Sequence, residues 1–102
     1  MIFFKDGIGF SSLQPQAVLA MVICDQVMDE YHHNLTITSV CEGVHKDGSL
    51  HYAGKAFDVR IRDLGGILPL DVARTFRARL GSQYQVVLEA DHIHVEYDFE
   101  KA

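Results

Sequence analysis

Gln83-Tyr-Gln-Val-Val-Leu88 and His92-Ile-His-Val-Glu-Tyr97 are separated only by Glu89-Ala-Asp91. Both runs are rich in β-branched and aromatic residues, and the second alternates strictly, so each predicts a strand. Two strands joined by so short a link are most simply antiparallel neighbours. In the second strand Ile93, Val95 and Tyr97 project from one face, and His92, His94 and Glu96 from the other. The apolar face needs a cover, and the polar face holds imidazoles and a carboxylate together.

Working outward, Pro69 to Leu80 predicts a helix. Leu68, Val72, Phe76 and Leu80 are spaced four apart, and Gly81 supplies the C-cap. Before it, Ala56-Phe-Asp-Val-Arg-Ile-Arg62 alternates, with Phe57, Val59 and Ile61 against Asp58, Arg60 and Arg62. Asp63-Leu-Gly-Gly66 is a turn, and residues 42–50 are a polar loop. Leu35-Thr-Ile-Thr-Ser-Val40 predicts another strand. A longer helix is predicted from about Leu13 to His33, with Pro15 in its first turn and Asn34 suited to the left-handed position after it. Val18, Met21, Val22, Asp25, Val27, Met28 and Tyr31 place most of its apolar positions on one broad face. Residues 1–10 predict a short strand or hairpin. The order helix, strand, strand, helix, strand, strand implies an α+β domain, two helices lying on one face of a mainly antiparallel sheet.

Composition narrows the function classes. A chain of 102 residues that is 48% hydrophobic and 23% charged fits one packed domain, residues 1–102. A net charge of -5 disfavours nucleic acid as a partner. No apolar run reaches the length of a membrane span, so no membrane insertion is expected. Met1-Ile-Phe-Phe-Lys-Asp6 carries charge where a secretory core would lie, which predicts synthesis in the cytoplasm without a signal peptide. Cys24 and Cys41 make no disulfide framework and are read as reduced thiols. Six His in so short a chain call for an explanation.

A strand with His at alternate positions is by itself commonly a solvated face. Its company is what matters. If the Ala56–Arg62 strand is a neighbour, Asp58 joins His92, His94 and Glu96 on one face, a nitrogen and oxygen donor set that suits Zn²⁺. Ser49-Leu-His51-Tyr-Ala-Gly54-Lys-Ala56-Phe-Asp58 matches S-x-H-x-x-G-x-A-x-D at its five fixed positions, and Asp91-His92-Ile-His94 matches D-H-x-H. With these two motifs in this order, the chain resembles the zinc D-Ala-D-Ala carboxypeptidase and L-alanyl-D-glutamate endopeptidase family. That family includes phage endolysins and has the hedgehog/DD-peptidase fold. The resemblance runs from about Leu13 to Tyr97.

The resemblance implies that His51, Asp58 and His94 are zinc ligands. It makes Asp91 the general base on the attacking water and His92 an accessory histidine near the reacting centre. It also implies a peptidoglycan stem peptide as substrate, cleaved after release to the cell wall or by a virion component. Gly54 then allows a tight backbone path between His51 and Asp58. Glu89 with His92 offers a second register of the same base-and-ligand spacing. Glu96 is either a support that orients a ligand histidine or a solvated residue. The family commonly has an Arg shortly after the Ile-Thr-Ser strand, where it helps bind the substrate carboxylate. Here Ile37-Thr-Ser-Val-Cys41 leads to Glu42 instead. Arg60 and Arg62 either share the site face or pair with surface acids. His32 and His33 fit a helix C-terminus, and His45 fits a loop surface.

Overall fold

The computed structural model describes residues 1–40 and 54–98. In chain order these form β1 (Ile2–Phe4), α1 (Pro15–Glu30), β2 (Leu35–Ser39), β3 (Ala56–Arg60), α2 (Pro69–Leu80), β4 (Tyr84–Leu88) and β5 (His92–Tyr97). The five strands make one sheet in the order β1-β2-β3-β5-β4. Three pairings are antiparallel, but β1 runs parallel to β2, so the sheet is mixed. A parallel pair needs a crossover, and α1 is that crossover; residues 1–10 therefore give a strand and no hairpin. Strand β5 inserts between β3 and β4, antiparallel to both. This insertion sets His92 and His94 of the second motif beside the Ala56–Asp58 end of the first.

One face of the sheet is apolar. Leu35, Ile37, Phe57, Val59, Val86, Ile93 and Val95 pack there with residues of both helices into one core. Helix α2 buries Val72, Ala73, Phe76 and Leu80, as its spacing predicts. Leu68 precedes the first turn and stays exposed. Helix α1 turns inward a stripe that overlaps the predicted one at Met21, Val27 and Met28 but is rotated from it elsewhere. Ala17, Ala20, Met21, Cys24, Val27 and Met28 are buried, whereas Val18 and Val22 are exposed. Alpha1 is apolar nearly all round, so its pattern does not choose a face. The small Ala17, Ala20 and Cys24 side chains are buried in the core shared by both helices and the sheet. Cys24 is a free buried thiol, and burial pushes its pKa up strongly. Cys41 lies outside the described residues.

Helix α1 ends earlier than expected, in a Schellman arrangement. The His32 N–H donates to Asp29 O and the His33 N–H to Met28 O, both at 3.0 Å. The left-handed residue is His32, at φ 58°, and not Asn34. Chain direction after the helix explains the choice: Leu35 must already be extended to pair with Ile2. The His33 ring then ties two segments together. Its Nδ1 lies 2.7 Å from Asn34 O and its Nε2 2.8 Å from Asp63 O. A neutral imidazole has one N–H, so both contacts are satisfied only by the imidazolium. These two carbonyls, Asn34 first, raise the His33 pKa against the opposing effect of burial. A raised folded-state pKa stabilises the fold fully below the unfolded value, and the gain fades as pH rises through the folded value. His33→Ala is therefore expected to lower the melting temperature more at about pH 5.5 than at about pH 8.5. Equal losses in thermal melts at the two pH values would contradict this.

Candidate metal centre

The face of the sheet away from the helices carries the polar set. Register decides what meets there. In the β3–β5 pairing Asp58 lies opposite His94, and Arg60 opposite His92. Directly opposed side chains on one face sit about 5 Å apart at Cβ. Nδ1 of His94 is accordingly 3.1 Å from Asp58 Oδ1. Nε2 of the same ring is 3.2 Å from Glu96 Oε1. His92 flanks Asp58 from the other side, with Nε2 at 3.7 Å from Oδ1, and its Nδ1 is 2.6 Å from Asp91 Oδ1. Asp58, His94 and Glu96 are largely enclosed, at 15%, 19% and 14% side-chain exposure, whereas Asp91 stands open at 88%. The Asp58 carboxylate, with Glu96 adding, raises the His94 pKa, and desolvation opposes them.

Strand β2 contributes through an irregularity. Ile37 pairs with Val59, but Ser39 pairs with Asp58, so a bulge falls between them. A bulge inserts an extra residue and re-aims its side chains. Thr38 and Ser39 both line the cleft in front of Asp58, and Thr38 Oγ1 reaches the Asp58 carbonyl at 3.5 Å. The cleft measures about 540 Å³ and is also lined by Lys5, Arg60, Arg62, Asp91 and His92. Lys5, Thr38 and Ser39 escaped the sequence-based expectation. No local signal marks a bulge, and the parallel docking of β1 depends on residues more than thirty positions away.

Of the residues expected at the site, Asp58, Asp91, His92 and His94 come together with Glu96. His51, Ser49, Glu42 and His45 lie outside the described residues. Glu89 is exposed in the β4–β5 link, where its N–H donates to His92 O at 2.9 Å. Among the described residues no group of three metal-ligating side chains is gathered at one point. Asp58 and His94 are donors of the kind zinc takes, and here they are hydrogen-bonded to one another at 3.1 Å. The Glu96 carboxylate on the far nitrogen of His94 is the kind of support that fixes a ligand imidazole.

No family model and no curated protein matches the chain. Among the described residues, no helix is long and apolar enough to cross a membrane.

Proposed function

We propose that this chain is a zinc-dependent peptidase of hedgehog/DD-peptidase type that hydrolyses a peptide bond in bacterial peptidoglycan stem peptides. The carrying observation is the β3–β5 register, which sets Asp58 of the first motif 3.1 Å from His94 of the second. Asp58 and His94, with His51, would hold the metal. Zinc, when bound, supplies Lewis-acid polarisation of the scissile carbonyl and of the attacking water. The remaining chemistry belongs to the protein. Asp91 sits at the mouth of the cleft, takes a proton as water adds to the carbonyl carbon, and delivers it to the departing amine nitrogen. His92 donates its Nδ1–H to Asp91 and holds that carboxylate toward the cleft. Glu96 fixes the His94 ring so that Nδ1 faces Asp58. Asp91 lines the cleft and Glu89 does not, which supports Asp91 over Glu89 as the base; His94 rather than His92 as the ligand rests on its closer contact with Asp58, 3.1 Å against 3.7 Å. The enzyme acts on the cell wall after release or as part of a virion.

Digestion of purified peptidoglycan, with and without a chelator, tests this proposal through the fragments detected by mass spectrometry. Asp91→Ala is expected to keep one equivalent of zinc and to lose roughly 10²- to 10⁴-fold in cleavage rate. Undiminished cleavage removes Asp91 from the role of base. Glu42, standing where the family has its Arg, motivates a second reading: a virion or wall-binding module that keeps the metal without turnover. Zinc-loaded protein that binds peptidoglycan but releases no fragment from it would favour that module.

A further inference from the structure

The two edges of the sheet differ. Strand β4 has its outer edge engaged, because Arg77 Nε donates to Val86 O at 3.0 Å. Strand β1 is the opposite edge. The Leu35 N–H donates to Met1 O and the Lys5 N–H to Ile37 O, so the odd-numbered residues of this strand turn their backbone groups toward β2. The N–H and C=O groups of Ile2 and Phe4 then point to the open side. Among the described residues nothing pairs with them. No charged side chain stands in Met1–Phe4 to discourage a further strand.

Exposed apolar surface gathers at this edge. Nine large hydrophobic side chains are exposed among the described residues. Six of them, Met1, Phe3, Phe4, Phe10, Val18 and Val22, belong to β1 or its surroundings and are 43% to 66% exposed. Ile2 packs against the core, so Phe4 projects from the helix face of the sheet and Phe3 from the cleft face. The Phe4 and Phe10 rings meet edge to face, with centroids 5.2 Å apart. On α1, the spacing of Val18, Val22, Asp25 and Asp29 puts all four on one side of the helix. The Met1 ammonium lies 2.9 Å from Asp25 Oδ1 and 3.5 Å from Asp29 Oδ1, so that side faces β1.

We infer that β1 is a dimerisation edge, where a second copy of this chain adds its own β1 antiparallel and joins the two sheets into one. The edge is self-complementary. A two-fold axis at Phe3 sets Ile2 of each copy opposite Phe4 of the other, and their outward N–H and C=O groups make four hydrogen bonds. The two Phe3 rings then meet on one face, and Ile2 meets Phe4 on the other. The half-exposed side chains and the strand edge offer roughly 500 Å² per copy, or about 1,000 Å² in the pair, where specific interfaces begin. A foreign strand would have to carry the same spacing of apolar groups; a second copy already does. The axis runs perpendicular to the sheet, so both clefts open to the same side of the dimer.

Sedimentation velocity of the full chain, from about 1 to about 500 μM, tests the pairing and is expected to show a monomer–dimer equilibrium in that range. Phe4→Pro removes an outward N–H and breaks no β1–β2 bond, while Phe4→Leu keeps that N–H. Phe3→Lys sets two ammonium groups opposite one another at the axis. Phe4→Pro and Phe3→Lys are each expected to raise the dissociation constant by about 30-fold or more, and Phe4→Leu by far less. Leu68→Lys, on exposed apolar surface of the α2 N-terminus, is expected to leave it unchanged. Thermal melts confirm that each variant is folded. Cross-linking reads the register even where the dimer is weak. Two Cys at position 3 would have Cα atoms about 4.5 Å apart, within disulfide reach, whereas two at position 5 would lie more than about 13 Å apart. Under mild oxidant Phe3→Cys is therefore expected to give a covalent dimer and Lys5→Cys none. A chain that stays monomeric throughout, or a dimer indifferent to Phe3→Lys and Phe4→Pro, overturns the pairing. Cross-linking of Lys5→Cys in place of Phe3→Cys does the same. A monomer that floats with phosphatidylglycerol vesicles also overturns it and gives the patch to a lipid surface.

Discussion

Gly54→Ala is expected to destroy most of the stability of this fold. A Cβ at position 54 would lie 1.7 Å from Ser12 O and 2.4 Å from Ser12 C. Both are backbone atoms, so no side-chain rotation relieves the contact. The position is also left-handed, at φ 71°, which costs a non-glycine residue about 1–2 kcal/mol. Retreat is blocked as well, because the Gln14 N–H donates to Gly54 O at 2.9 Å, immediately before the first turn of α1. Steric clash and backbone strain together are expected to cost about 4 kcal/mol or more, a drop in melting temperature beyond about 15 °C. Gly65→Ala is the control. It has a similar φ of 64° with open space around its Cβ, so it isolates the strain from the clash. Thermal denaturation followed by circular dichroism separates them; similar melting temperatures for the two variants would show that the 12–14 segment yields. This contact gives Gly54 a role different from the one its motif suggests. It seats β3 against the entrance to α1, whatever path the chain takes from His51.

If the proposed zinc site is right, Asp58→Asn is expected to have the largest functional effect. The change is nearly isosteric and leaves β3 its pairing with β5. It removes the negative charge that lies 3.1 Å from His94 and 3.7 Å from His92. A zinc ligand must be a deprotonated donor, and a neutral amide is a poor one. Zinc affinity, measured against a competing chelator, is expected to fall by more than about 100-fold, beyond the loss typical of a supporting residue. Release of fragments from peptidoglycan is expected to fall with it. Zinc bound as tightly by the Asn variant would exclude Asp58 as a ligand. The melting temperature serves as the internal check, since a folded variant without metal separates ligation from structure.

Two motifs far apart in the chain were legible because each is local. The alternation of His92–Tyr97 and of Ala56–Arg60 sorts side chains to two faces through a two-residue period that needs no tertiary contact. Pro69 and Gly81 bound α2 for equally local reasons, a fixed φ at the start and a left-handed turn at the end. For α1 the sequence was ambiguous. An all-round apolar helix offers more than one stripe, and only packing into the shared core selected Ala17, Ala20 and Cys24 over Val18 and Val22.

By itself, then, the sequence determined the two-helix α+β class, the strands and helices after residue 10, and the face on which Asp58, His92, His94 and Glu96 stand. Tertiary structure alone decided which of them touch. A strand can slide by two residues against its neighbour without turning any side chain to the wrong face, so alternation leaves the β3–β5 register open. The observed register makes Asp58 and His94 partners. Tertiary structure also decided the bulge that presents Thr38 and Ser39, and the parallel docking of β1 that carries Lys5 to the cleft. Both arise from hydrogen bonds between segments distant in sequence, where the pattern of any one segment has no say.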